Sequence, residues 1–169
     1  MAVKSLKVKR MDEGAGGHDI PAVILERMGF LLNRAALKQR ELVEEAFKPF
    51  GLIGKHLGIL LLIQDKGALP QMEVGKCMYI DRTTMVGMID DLERLGYVER
   101  KAHPTDRRAH ALYLTTKGKE LLPKLYQIGL KAEKKLLAPL SSKDQAELNR
   151  ILRQLVLAHH YADKKEDPA

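Results

Sequence analysis

The sequence predicts a mainly α-helical fold carrying one small β-hairpin, and three observations lead there. Apolar residues recur every three or four positions over most of residues 21–161, the period of one helix face. That period gives way to short runs rich in β-formers only in "YVERKA" and "AHALYLT". Glycine and proline punctuate the periodic segments at Pro49, Gly51, Gly54, Gly67 and Gly96.

Taken in order, residues 1–19 are polar, with "DEGAGGHD" supplying little to bury, and read as a mobile extension. Pro21 suits a first helical turn, and Leu25, Met28, Leu32, Ala35 and Leu42 keep helical spacing, so one long helix is expected to about residue 48. "KPFGLIGK" ends it. Residues 56–66 form a second helix, apolar nearly all round and therefore expected to be buried. Residues 70–78 have the length of two turns, and Tyr79, Ile80 and Asp81 form a short break. Asp81 is a good N-cap for a further helix. Met85, Met88, Ile89, Leu92 and Leu95 make one apolar face of that helix, and Gly96 stops it. Two short helices joined by a turn of about three or four residues make a helix-turn-helix.

The hairpin comes next, with "HPTDRR" as its turn and Leu112 and Leu114 alternating with Ala111 and Tyr113, as one buried face requires. Thr115 can cap a helix that runs to about residue 138, with a bend expected at Pro123. Ser141 or Ser142 caps a last helix to about residue 161, with Asp144 and Glu147 near its positive end. The expected organisation is an extension at 1–19, helical arms at 20–50 and 116–162, a winged helix-turn-helix at 51–115, and a tail at 163–169.

Charge narrows the function. The chain holds 29 Lys plus Arg against 22 Asp plus Glu, a net +7 that favours an anionic partner. Within 94–119, seven basic residues less two acidic ones leave +5, so the excess gathers around the hairpin. Cys77 is alone, which excludes an internal disulfide or a cysteine-based zinc site and suits an intracellular protein. Free cysteine is usually buried, and Cys77 is expected to be so. The longest apolar run, 57–63, is too short to cross a membrane, and the basic N-terminus lacks a signal-peptide core, so a cytoplasmic protein with no membrane partner is expected.

Enzyme and metal chemistry find little support. There is no Gly-rich phosphate loop or nucleophile elbow, and Asp90, Asp91 and Glu93 fit the polar face of an amphipathic helix better than a catalytic set. His103, His110, His159 and His160 have no zinc-ligand spacing. No enzymatic activity, metal or cofactor is expected.

One stretch, "DRTTMVGMIDDLERLGYVERKAHPTDRRAHALYLTTKG" from Asp81 to Gly118, resembles the core signature of the multiple-antibiotic-resistance-regulator (MarR) family. Asp81 with Thr83 and Thr84, "LERLGYVER", Asp106 with Arg108, and "LTTKG" carry the likeness together. The resemblance implies a homodimer on double-stranded DNA with a palindromic operator, usually as a repressor, released by a small and often aromatic anionic effector. Two-fold symmetry then places half-sites about 10 base pairs apart. It implies groove-facing positions at Arg82, Thr83, Thr84, Val86, Gly87 and Asp90, with Met85, Ile89 and Leu92 packed behind them. In the wing it implies Asp106 orienting Arg107 or Arg108, one of which enters the minor groove. His103 is counted with these as a DNA-binding wing position; by their place in the sequence, His103 and His110 either contact phosphate or simply flank the turn. At Gly87, where many members carry a long polar or basic residue, direct guanine reading is not expected.

Phe30, Arg34, His56, Leu60 and Tyr126 are candidates for an effector pocket, since an anion needs a donor beside apolar walls. Taken singly, Arg34 also reads as a solvated or dimer-bridging residue and His56 as a helix cap. Two other functions fit the same composition: a DNA-binding architectural or constitutive regulator without a ligand, and a helical protein-interaction module without DNA.

Overall fold

The computed structural model describes residues 20–102 and 110–166, with side chains described as far as His160. The wing turn, with His103, Asp106, Arg107 and Arg108, and the extension at 1–19 lie outside the described residues. The chain divides into two units, Met1–Arg34 and Ala35–Ala169.

The first unit holds α1 (Ala22–Leu25) and the opening of α2 (Met28–Phe47). The single long helix expected here is interrupted. The Arg27 amide turns back to the Ile24 carbonyl at 3.0 Å, the tighter pairing that closes a helix, and α2 begins one residue later. Gly29, a poor helix former, sits at the new start. No α1 residue is buried, and Val23, Met28, Leu31 and Leu32 are exposed.

In the second unit, the last part of α2 buries Val43 and Phe47. After a 3-10 turn at Lys48–Phe50, α3 (Gly54–Lys66) starts two residues before the expected position. Its burial is one-sided: Ile59, Leu60 and Ile63 are in the core while Leu61 is exposed. The β1 strand (Leu69–Pro70) then leads into α4 (Gln71–Met78), α5 (Arg82–Arg94), β2 (Val98–Ala102), β3 (His110–Leu114), α6 (Thr116–Leu137) and α7 (Ser142–Glu166).

The hairpin is the larger part of a three-stranded antiparallel sheet of order β1-β3-β2. Val98 pairs with Leu114 and Ala102 with His110, while Leu69 pairs with Leu112. A two-residue strand is too short for periodicity to announce, and Pro70 is tolerated because β1 is an edge. Burial does not alternate as expected along β3: Ala111 is as buried as Leu112, because Pro70 of β1 pairs across from it.

Cys77 is exposed, contrary to expectation. On α4 the covered stripe runs through Gln71, Val74, Gly75 and Met78, and Cys77 falls off that stripe on the solvent side. The long α6 continues through Pro123, whose missing amide removes one internal bond. Ser141 caps α7: its Oγ accepts from the Asp144 amide at 3.2 Å and donates to the Asp144 carboxylate at 2.7 Å. Along its described side chains α7 buries nothing, and Ile151, Leu152, Leu155, Val156 and Leu157 are exposed. No single helix among the described residues is long and apolar enough to cross a membrane.

Candidate nucleic-acid interface and adjoining cavity

The turn between α4 and α5 fixes the pose of α5. Tyr79 adopts the left-handed conformation at φ 50°, and the Ile80 amide closes back on the Gly75 carbonyl at 3.0 Å. Ile80 is buried and anchors the turn. The Tyr79 hydroxyl hydrogen-bonds Nδ1 of His160, with the rings edge to face at 5.8 Å, which ties the far end of α7 to this turn. Asp81 then caps α5, its carboxylate accepting from the Thr84 amide at 2.9 Å. Hydrogen bonds from Thr84, side chain first and then amide, hold the Asp81 carboxyl below its ordinary value.

From that start the 3.6-residue period sorts α5 into two faces. Met85, Met88, Ile89 and Leu92 are buried. Arg82, Thr83, Thr84, Val86, Gly87 and Asp90, the six positions expected to face a groove, are all exposed. Around Gly87 nothing stands within 4 Å of where a Cβ would be.

The acidic end of α5 is not left as free negative charge. Arg100, on β2, donates to Asp90 at 2.7 Å, pairs with Glu93 through Nη1, and reaches the Gln71 side chain at 3.1 Å. Its backbone amide also donates to Glu93 at 2.8 Å. One half-buried guanidinium therefore joins α4, α5 and β2. Asp91 pairs with Arg94 at 2.6 Å, and that hydrogen bond holds its carboxyl below the ordinary value. Sequence reasoning missed Arg100, Glu93 and Gln71; the available signal was the Asp90 and Glu93 pair, one turn apart and followed by a basic strand.

The far end of α5 is clamped by the start of α6, which gives "LTTKG" a physical meaning. The Thr115 hydroxyl donates to the Gly96 carbonyl at 2.7 Å and accepts from the Gly118 amide at 3.0 Å. Lys117 Nζ donates to the Leu95 carbonyl at 2.8 Å, answering the negative end of α5. Gly96 stops the helix at φ 74°. Gly118 lies so near Tyr97 that a Cβ would stand 2.1 Å from the Tyr97 carbonyl oxygen.

Behind α5 is a cavity of about 600 Å³ walled by α2, α3, α5 and α6. Ile53, Leu57, Leu61 and Leu130 supply apolar wall, and Arg40, Lys55, Glu44 and Glu133 also line it. Gln39 Oε1, also of the wall, is buried without a hydrogen-bond partner among the described residues. From α5 come Thr84 and Met88. Of the five pocket candidates, Tyr126 lines this cavity. Leu60 and His56 do not: both are buried in the core, and His56 Nδ1 accepts from the Ile53 amide at 3.1 Å to cap α3. Burial lowers the His56 pKa below its ordinary 6.5, with the charge of Asp91 opposing. Phe30 and Arg34 belong to the first unit. Among the described residues no group of three or more His, Cys, Asp or Glu could hold a metal ion.

A helix held by a capped turn at one end and a Thr-Lys clamp at the other, with a hairpin beside it, defines a winged helix-turn-helix protein. Residues 50–109 match the model of the MarR family. The multiple antibiotic resistance protein MarR of Escherichia coli strain K12 is 25% identical over 130 residues, covering 76% of this chain and 90% of that one. A probable transcriptional regulator from Pseudomonas aeruginosa has a similar structure, with TM-score 0.73 and 26% identity over 78% of this chain and 98% of that one. The transcriptional repressor CouR, bound to a 23-mer DNA duplex, gives TM-score 0.75 and 28% identity over 82% and 99%. Over residues 50–109, and in its fold, the chain is similar to MarR-family proteins, which are transcriptional regulators and not enzymes.

Proposed function

We propose that this protein is a homodimeric repressor that holds a palindromic operator and is released by a small effector. Each protomer lays the exposed face of α5 in a major groove, where Arg82, Thr83, Thr84, Val86, Gly87 and Asp90 meet base edges and phosphate. The basic wing reaches the adjacent minor groove with Arg107 or Arg108, oriented by Asp106. Residues 51–115 are the DNA-binding part, and 20–50 with 116–162 form the dimer. Support for the dimer comes from α1, the start of α2, and α7, each of which leaves apolar side chains exposed.

The observation that carries the regulatory reading is that α5 has both roles within reach: Thr84 and Met88 belong to the cavity wall, and Thr84 is also one of the exposed positions, beside Arg82, Thr83, Val86, Gly87 and Asp90. An amphipathic anion drawn by Arg40 and Lys55 into the apolar cavity binds best where α5 has shifted. The dimer population then moves to a spacing that no longer matches successive grooves.

Selection of bound duplex from a random pool, followed by a salt titration, tests the DNA half. Affinity should fall with salt by about 0.9 log units per log unit for each phosphate neutralised. If no operator emerges, the repressor reading fails. Small aromatic acids screened for loss of operator binding test the effector half; release should disappear when Arg40 and Lys55 are both replaced by Met.

A further inference from the structure

Gly87 is the sixth residue of the thirteen in α5, where glycine lowers helix stability relative to alanine. Most other helical glycines have a reason within the chain; Gly29, in the first turn of α2, is the exception, with open space around it. A Cβ on Gly118 would run into the Tyr97 backbone, one on Gly54 would stand 3.0 Å from Val43, and one on Gly75 would stand 3.2 Å from the Ile80 carbonyl. Gly87 has no such neighbour within 4 Å, and its φ is not among the positive ones. Unlike Gly29, Gly87 sits in mid-helix on the exposed face, and nothing inside the described molecule asks for glycine there, which turns attention to what docks on that face.

We propose that Gly87 is a specificity-determining residue: its bare backbone seats the C5 methyl group of one thymine in each half-site. The proposal rests on the reading that α5 enters the major groove. The surroundings choose the methyl over a polar base edge or a phosphate. In mid-helix the Gly87 amide and carbonyl are used by the helix itself, so the position offers neither donor nor acceptor. Its exposed neighbours Val86 and Thr83 present methyl groups, with Val86 40% exposed. The two carboxylates on the next turn are each taken up by an arginine, Asp90 by Arg100 and Asp91 by Arg94. What remains is a shallow, nearly neutral notch with apolar sides. In the major groove the thymine methyl is the base feature that such a notch fits.

The test pairs Gly87→Ala with the loss of one methyl from the DNA, on the operator obtained by selection. Gly87→Ala should raise the thermal midpoint by about 2 to 4 °C, as a better helix former, yet weaken operator binding about tenfold by filling the notch. Each half-site thymine is then replaced singly by uracil. At one position the replacement should weaken the wild-type protein several-fold and restore most of the affinity of the alanine protein. Binding of Gly87→Ala within twofold of wild type, or the absence of any uracil position whose effect depends on residue 87, overturns the proposal. Arg82→Ala and Thr83→Ala separate the two levels: if these also bind normally, it is the placement of α5 in the groove that fails. If they weaken binding and Gly87→Ala does not, the methyl notch alone fails.

Discussion

Gly118→Ala should remove about 3 kcal/mol of stability although it adds a single methyl group. The new Cβ would stand 2.1 Å from the Tyr97 carbonyl oxygen and 3.0 Å from its carbon, and both are backbone atoms that no rotamer change can move. An ordinary carbon to oxygen contact is about 3.3 Å or more, so the start of α6 must retreat from Tyr97 by about 1 Å. Three hydrogen bonds span that gap: Thr115 amide to Tyr97 carbonyl at 3.1 Å, Thr115 hydroxyl to Gly96 carbonyl at 2.7 Å, and Lys117 to Leu95 carbonyl at 2.8 Å. An opening of this size stretches all three beyond useful length, and each is worth about 1 kcal/mol. Urea unfolding at fixed protein concentration measures the loss, as a midpoint lowered by about 1 to 2 M at unchanged slope. Gly29→Ala, which meets nothing within 4 Å, is the control and should be neutral or mildly stabilising. A loss under about 1 kcal/mol for Gly118→Ala would refute the argument that this junction is rigid.

The same geometry sets three other outcomes. Arg100→Met should weaken operator binding about tenfold, because it uncovers Asp90 and Glu93 beside the face proposed to meet DNA; adding Asp90→Asn should recover part of that loss, and equal affinities for the single and double variants would count against the pairing. His56 is buried with its pKa lowered, so its neutral form is favoured: its stabilising share is whole above pH 6.5 and declines as the pH falls below that value. The urea midpoint should therefore drop between pH 7 and pH 5, and drop less in His56→Gln, whose side chain can still accept from the Ile53 amide; parallel curves would clear His56 of the effect. Leu155→Glu, on the exposed apolar side of α7, should convert the proposed dimer to monomer by light scattering at micromolar concentration, and an unchanged dimer mass would place the interface elsewhere.

The helical frame is legible in the sequence because each helix carries its own punctuation. Asp81 and Thr115 are cap residues placed before an apolar period, and both cap in the structure. The two faces of α5 are legible for the same reason, since one period sorts Met85 and Ile89 from Val86 and Gly87. What escapes the sequence depends on partners distant along the chain. Arg100 looks like one more basic wing residue until the fold brings Gln71, 29 positions away, to its guanidinium. The strand at Leu69–Pro70 exists because β3 offers it an edge, and no two-residue run can declare that. Cys77 escapes for a statistical reason: burial habit describes cysteines in general, whereas the stripe on α4 decides this one.

Thr84 and Met88 stand in the cavity wall on the same thirteen residues that carry the exposed face of α5. On the proposed function, a protein so built cannot drift toward a new operator and a new ligand independently, because a substitution that reshapes one side of this helix also tilts the other. Chimaeras that exchange only residues 82–94 between relatives should therefore carry some ligand preference along with the DNA site. An engineer who wants the two properties separated must begin with walls of the cavity that α5 does not supply, such as Leu57 and Leu130.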